Sequence, residues 1–289
     1  MYTAKNVDIF RYVALFLVVI VHAEQCHRSL SVVKGCNGSR NCTTGWKHLL
    51  RSDQLAQTLA GVSPFLSEEY NRRCNACAEQ RNLSATPRDC REVYHNGDRT
   101  TGVYTIYPMA IKASQVVCDM ATDGGGWTVL QRRVSDTDFY KTWSEYQSGF
   151  GDPQNFWLGN ENIWALTSTR NYSLRIDLTA PDGQTAYARY SSFKIENFQS
   201  RYRLHISGYS GTAGDSLGGL RHNGYVFSTK DMDSTAGCPA LYRGGWWYDT
   251  CHSSNLNGVY NNTTYGMGLN WFSWKGYHVS MVRTEMKIK

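Results

Sequence analysis

The first feature in the chain's hydropathy is an unbroken apolar run, Tyr12 to Val21, preceded by Lys5 and Arg11 and ending in Val21-His22-Ala23. A charged start, a short apolar centre and a small residue at the end mark an export signal cleaved before Glu24. The run is about ten residues, against the roughly 20 that a membrane-spanning helix needs. Residues 1–23 are therefore expected to be a signal peptide, with no membrane span in the mature chain. Residues 24–86 carry one modestly amphipathic stretch, with Trp46, Leu49, Leu50, Leu55 and Leu59 near helical spacing. From Pro87 onward short alternating runs, such as 173–178 and 202–206, read as strands. Helical signals there are few and short, as at 160–166. The pattern predicts an α+β domain over 87–289, built mainly of antiparallel strands with short helices and long loops, and not an alternating βα enzyme.

Export changes how the nine cysteines are read, because thiols pair in an oxidising compartment. Cys26, Cys36, Cys42, Cys74 and Cys77 make residues 24–86 a cysteine-rich appendage with neither a collagen repeat nor sustained heptads. Five is odd, so if the four later cysteines pair among themselves, one appendage cysteine stays free or bridges to another chain. A disulfide-linked homo-oligomer is the expectation. Cys74-Asn-Ala-Cys77 lacks the second CxxC of a zinc site and the βαβ context of a redox one. Asn37, Asn41, Asn82, Asn171, Asn261 and Asn262 head sequons and are glycosylation candidates on the export route. The formal charge of +6 is scattered, with no basic run or helix face, which argues against a nucleic-acid partner.

Some strings are more specific than pattern. They start at Asp89-Cys90 and run through Cys118-Asp119-Met120 and Asp123-Gly-Gly-Gly-Trp127 to Arg133, then Phe156-Trp157-Leu158-Gly159-Asn160. Ala213-Gly214-Asp215-Ser216-Leu217, Phe227-Ser-Thr-Lys-Asp231, Gly244-Gly245-Trp246-Trp247-Tyr248, Cys251-His252 to Gly258, Trp274-Lys-Gly-Tyr277 and Thr284 to Ile288 continue them. Over about 200 residues these strings resemble the fibrinogen C-terminal-like domain, especially its ficolin and tachylectin branch. Physically, Asp123 and the glycines after it suit a turn needing positive φ before a buried strand. Trp246, Trp247 and Tyr248 supply a bulky aromatic wall. The resemblance implies the disulfides Cys90 with Cys118 and Cys238 with Cys251, each expected to stabilise by roughly 2–4 kcal/mol.

In tachylectin-like relatives an acetyl group sits in an aromatic funnel beside the second disulfide. The resemblance places that ligand-binding pocket at Tyr242, Cys251, His252, Tyr265 and Tyr277, with Gly266 leaving room. The chemistry is coherent, since a methyl group fits an aromatic enclosure and its carbonyl takes an amide or imidazole donor. The resemblance also implies a cis peptide between Thr250 and Cys251, aiming the amides of Cys251 and His252 at the carbonyl. It further implies a calcium loop at Asp231, Asp233 and Thr235, oxygens of the kind calcium prefers. Here only Ser234-Thr-Ala-Gly237 separates Asp233 from Cys238, fewer residues than relatives carry, so weak calcium dependence is expected.

The string Gly214-Asp215-Ser216-Leu217-Gly218-Gly219 has the look of a serine nucleophile motif, but no accompanying base, acid and oxyanion set is visible. No enzyme is expected. The function implied by resemblance is a secreted, extracellular lectin for N-acetylated or otherwise acetylated sugars on microbial or cell surfaces, in innate immunity. The alternative is a secreted ligand for a receptor or matrix partner through the same domain, because fold alone does not fix function.

Overall fold

A computed structural model describes residues 86–109, 113–219 and 221–289. The signal-peptide and appendage readings over 1–85, with Asn37, Asn41 and Asn82, lie outside the described residues. The remainder, Pro87–Lys289, forms a compact unit of its own.

Its centre is an antiparallel sheet. The strands are β1 (Gly102–Ile106), β2 (Ser114–Asp119), β3 (Trp127–Arg133), β4 (Phe150–Gly151), β5 (Phe156–Trp157), β6 (Tyr172–Thr179), β7 (Thr185–Ile195) and β8 (Leu204–Gly211). A second, two-stranded sheet pairs β9 (Ser254–Asn255) with β10 (Asn270–Trp271), and β11 (Arg283–Ile288) returns to the first. The main order is β1-β2-β3-β11-β6-β7-β8, with β5 beside β3 and β4 beside β5. The chain's last strand therefore lies inside the sheet, pairing Thr284 with Arg133 on one side and with Leu178 on the other.

Side-chain period explains these elements. Along β6, Tyr172, Leu174, Ile176 and Leu178 are buried while the residues between them are partly exposed, as a one-sided strand requires. The turn before β3 has φ of 46° at Asp123 and 81°, 67° and 77° at the three glycines that follow. A Cβ on Gly125 would lie 2.3 Å from the Met120 carbonyl oxygen, so only glycine fits. Short helices are stopped and started by side-chain caps. Asp89 caps Cys90–His95 through the Glu92 amide, and Thr142 with Glu145 forms a capping box on Trp143–Ser148.

The long connection from β8 to β11 adds Phe227, Trp246, Trp247, Tyr248 and Trp271 to the aromatic core. Trp246, Trp247 and Tyr248 are buried, and Trp157 packs against Phe227, Trp246 and Trp247 at 5.8, 6.4 and 6.0 Å between ring centres. Two disulfides close at Cys90–Cys118 and Cys238–Cys251. Every described peptide bond is trans, Thr250–Cys251 included. The cis bond expected there is thus corrected. The Asp249 amide donates to the Cys251 carbonyl (2.9 Å) and closes the turn with an ordinary trans peptide, which a non-proline residue favours by about 2.5–4 kcal/mol.

Within β11, Lys287 is almost wholly enclosed. Its ammonium lies 2.6 Å from Asp119, 2.7 Å from Asp177 and 3.1 Å from Glu285. Arg132 holds the other Glu285 oxygen at 2.6 Å. The lysine hydrogen bond, acting against burial, keeps the Asp119 carboxyl far below the usual carboxylate range.

Candidate functional site

The stretch 238–278 brings Tyr242, Cys251, His252, Tyr265 and Tyr277 together. Tyr242 ends the helix Cys238–Tyr242, which starts on Gly237 (φ 99°) and has Pro239 in its first turn. The Cys238–Cys251 disulfide ties the start of that helix to the residue before His252. The Tyr242 ring meets the His252 imidazole edge-on, with centres 4.4 Å apart. Tyr277 stands 5.6 Å from the same imidazole, and its hydroxyl donates to the His252 carbonyl at 2.9 Å. Tyr265, 55 % exposed, leans on Tyr277 at 4.7 Å. The result is an aromatic funnel with a histidine at its base.

Gly266 lines that base. It has φ +73°, and a Cβ there would come within 2.5 Å of Tyr242 Cε1 and 3.2 Å of His252 Nε2. Its amide donates to the Tyr277 carbonyl (3.0 Å), fixing one wall against another.

Buried amides hold the frame. Asn255 Nδ2 donates to the carbonyls of Tyr242 (3.2 Å) and Gly266 (3.4 Å), while its oxygen accepts from the Tyr248 hydroxyl (2.7 Å). Asn270, directly across the β9–β10 ladder, donates to the carbonyls of Tyr277 and Val279. Sequence reasoning passed over both asparagines, whose role is to hold backbone. It also passed over Phe272, half exposed and stacked on Tyr277 at 4.6 Å, which extends the aromatic lip.

His252 is 4 % exposed, and neither ring nitrogen has a hydrogen-bond partner of normal geometry within the protein. Burial disfavours its charged form, with nearby His222 acting in the same sense, and holds its pKa down at about 3. The imidazole is therefore neutral at physiological pH, with one ring nitrogen a donor and the other an acceptor, both buried. Buried polar atoms without partners are uncommon in native proteins and call for an explanation.

The same shift makes a stability prediction. His222 is also buried, with a pKa lowered to about 4. Both histidines take up protons near 6.5 when unfolded and only far lower when folded, so the unfolded state binds more protons between those limits. Stability contributed by the two neutral rings is complete above pH 6.5 and lost as pH falls towards 4, at close to 1.4 kcal/mol per pH unit for each group. Guanidinium denaturation should show a clearly lower midpoint at pH 5 than at pH 7. Replacing His252 by Phe should flatten that slope, and an unchanged slope would count against this assignment.

The loop carrying Asp231, Asp233 and Thr235 leads directly into the helix of Tyr242. Asp231 Oδ1 accepts from the Trp143 amide and the Thr229 hydroxyl, both at 2.8 Å. Asp233 accepts from the Thr235 amide and hydroxyl, both at 2.7 Å, and from the Gly237 amide at 2.9 Å. Thr235 in turn accepts from the Cys238 amide at 3.0 Å. Among the described residues no three His, Cys, Asp or Glu side chains gather as a metal-binding group. Two carboxylates and a hydroxyl are oxygens of the type calcium takes, so the donors fit in kind, while most of the six to eight ligands would be backbone carbonyls or water.

The serine-motif string is a turn. Asp215 accepts from the Tyr190 hydroxyl (2.6 Å) and the Gly218 amide (2.7 Å), and Ser216 donates to Ser273 (2.8 Å). Of the described sequon asparagines, Asn171 and Asn261 are exposed, and Asn262 is half-buried with its oxygen on the Thr264 amide. No helix among the described residues is long and apolar enough to cross a membrane.

A globe of antiparallel strands with two short-range disulfides and an aromatic site in its last third is the architecture of fibrinogen-type globular domains. Residues 86–289 match the family model described as fibrinogen beta and gamma chains, C-terminal globular domain, and the chain belongs to that family. It is similar to Techylectin-5A of Tachypleus tridentatus, 44 % identical over 252 residues, covering 82 % of this chain and 86 % of that one. It is also similar to chicken (Gallus gallus) tenascin, 46 % identical over 210 residues, covering 70 % of this chain but 11 % of tenascin. Among solved structures, the fibrinogen-like globe domain of human ANGPTL2 superposes with a TM-score of 0.68 at 37 % identity, covering 70 % of this chain and 98 % of that one. The chain is not an enzyme, as its family membership shows.

Proposed function

We propose that the protein is a secreted lectin whose funnel takes the acetyl group of N-acetylated or otherwise acetylated sugars. The observation that carries this reading is the neutral, unpartnered His252 at the base of an enclosure formed by Tyr242, Tyr265 and Tyr277 around Gly266. The methyl group would lie against the tyrosine rings, which Gly266 leaves free of a clashing side chain, and the imidazole would donate to the acyl oxygen. The rings contribute dispersion and the sugar's apolar face can lie on Tyr265 and Phe272. Similarity to a protein named as a lectin supports the reading. The N-terminal apolar run and the two disulfides support export.

Asp231, Asp233 and Thr235 are the residues that would hold calcium, whose part would be to order the loop feeding the Tyr242 helix. Hydrogen bonds already close that loop, so calcium is a support and not a sugar ligand. One shallow monosaccharide site binds weakly, and useful avidity comes from linking several copies. Use in innate recognition of microbial surfaces follows from that arrangement.

The test is retention of the secreted chain on beads bearing acetylated against non-acetylated sugar, with and without chelator. Acetyl-dependent retention that chelator reduces but does not abolish is expected. Equal retention on both beads would leave the competing reading, a protein ligand for a receptor or matrix partner.

A further inference from the structure

Behind the funnel lies a second imidazole. His222 is 1 % exposed. Its Nδ1 lies 2.9 Å from the Trp247 carbonyl oxygen, and its Nε2 faces the backbone amides of Ser253 at 3.0 Å and Ser254 at 3.2 Å. A carbonyl only accepts and an amide N–H only donates, so the tautomer is dictated: the proton sits on Nδ1 and the lone pair on Nε2. One side chain thereby ties residue 247 to residues 253 and 254. The chain between them carries Cys251 and His252. The neighbouring Arg221 adds a tie to the same turn, donating to the Thr250 hydroxyl at 2.8 Å.

We infer that His222 is the positioning residue of the sugar site: by accepting from the Ser253 and Ser254 amides it sets the direction of the His252 backbone. That direction aims the His252 ring into the funnel and presents the His252 carbonyl to the Tyr277 hydroxyl. The functional half of this inference rests on the acetyl-sugar reading; the clamp itself does not. A cationic His222 would carry a proton on Nε2 and confront two donors with a third, so the clamp works only in the neutral state. Asp249 and Asp215 favour the cation while Arg221 and His252 oppose it, and burial outweighs them all. The ring stays neutral until about pH 4.

Two variants of the full secreted chain separate clamping from mere filling of space. His222→Phe keeps the bulk and removes both hydrogen-bonding functions; His222→Gln keeps an acceptor within reach of the amides. The readouts are hydrogen exchange of the peptide spanning 251–256 and the affinity for acetylated beads. His222→Phe should lose protection in that peptide while β6 and β7 stay protected, with sugar affinity down at least ~tenfold. His222→Gln should recover most of both. Wild-type protection in His222→Phe, or a Gln variant as unprotected as the Phe variant, would overturn the inference. Should the Phe variant fail to be secreted, the wild type decides: protection at 251–256, corrected for intrinsic exchange, should fall between about pH 5 and pH 3.5 ahead of β6 and β7. Constancy through that range overturns it equally. A wild-type chain that ignores acetylated beads would refute the sugar reading and leave the exchange contrast to judge His222.

Discussion

Replacing Lys287 by Met is expected to destabilise the domain by about 3–5 kcal/mol at neutral pH, the usual effect of removing one partner from a buried ionic group. The wild-type ammonium is 2 % exposed and neutralises Asp119, Asp177 and Glu285 together. Without it, Glu285 keeps Arg132 and Asp177 keeps Arg175, but Asp119 keeps no cation and is left with the Ala121 and Thr122 amides and the Thr122 side chain. Asp119 and Glu285 are then buried without the cation that stood between them, and the Asp119 carboxyl moves up towards its ordinary range. The sign of the pH effect follows. In the wild type the depressed Asp119 contributes stability that is present above its unfolded value near 3.9 and lost as pH falls. In the variant that contribution is already gone, so its deficit should be largest near pH 7 and should shrink towards pH 4. Chemical denaturation at the two pH values measures both. A loss under about 1 kcal/mol at pH 7 would mean that the cluster relaxes by admitting water.

Gly266→Ala is expected to reduce affinity for acetylated sugar at least ~tenfold, equivalent to about 1.4 kcal/mol, with a smaller effect on folding. The single added methyl carbon would sit 2.5 Å from Tyr242 Cε1, so the ring must move. It can move only against His252, already 4.4 Å away, or out across the funnel mouth. The positive φ adds roughly 1 kcal/mol of backbone cost. Tyr242 is partly exposed, so the fold can absorb a shifted ring where the funnel cannot. Surface plasmon resonance on an acetylated chip, beside a thermal melt, distinguishes the two effects. Wild-type affinity in the alanine variant would exclude this pocket as the binding site.

The sequence and structure agree where side-chain period or steric need is local. The alternation at 173–178 grows by one residue at each end into β6, and the glycines after Asp123 have the positive φ their turn demands. The run 202–206 was only partly a strand. Tyr202 has φ 50° and places its ring on Trp143 at 5.6 Å, so the ladder starts at Leu204, and the alternation ahead of it reflected core packing. In the candidate site, Tyr242, His252, Tyr265 and Tyr277 were picked out by the resemblance alone, and the fold makes their rings neighbours. Asn255, Asn270 and His222 were not, because each acts by holding backbone groups that only the folded path brings within reach. Phe272, outside the strings that carry the resemblance, lies half exposed on the lip. The trans Thr250–Cys251 peptide was hidden for a related reason: Asp249 closes the turn through the backbone, which no residue type announces.

The placement of β11 bears on how the protein is made. Cys90 and Cys118 lie 28 residues apart in the chain, so their pairing can follow soon after both have been made. The sheet has no such head start. Its centre is a gap between β3 and β6 until residues 283–288 arrive, after every other strand of that sheet. Until then both flanking strands present open edges, the state in which strands pair with the wrong partner. Stalling of synthesis before residue 283 would therefore yield a chain able to make its first disulfide but with its sheet unclosed and the edges of β3 and β6 open to mispairing.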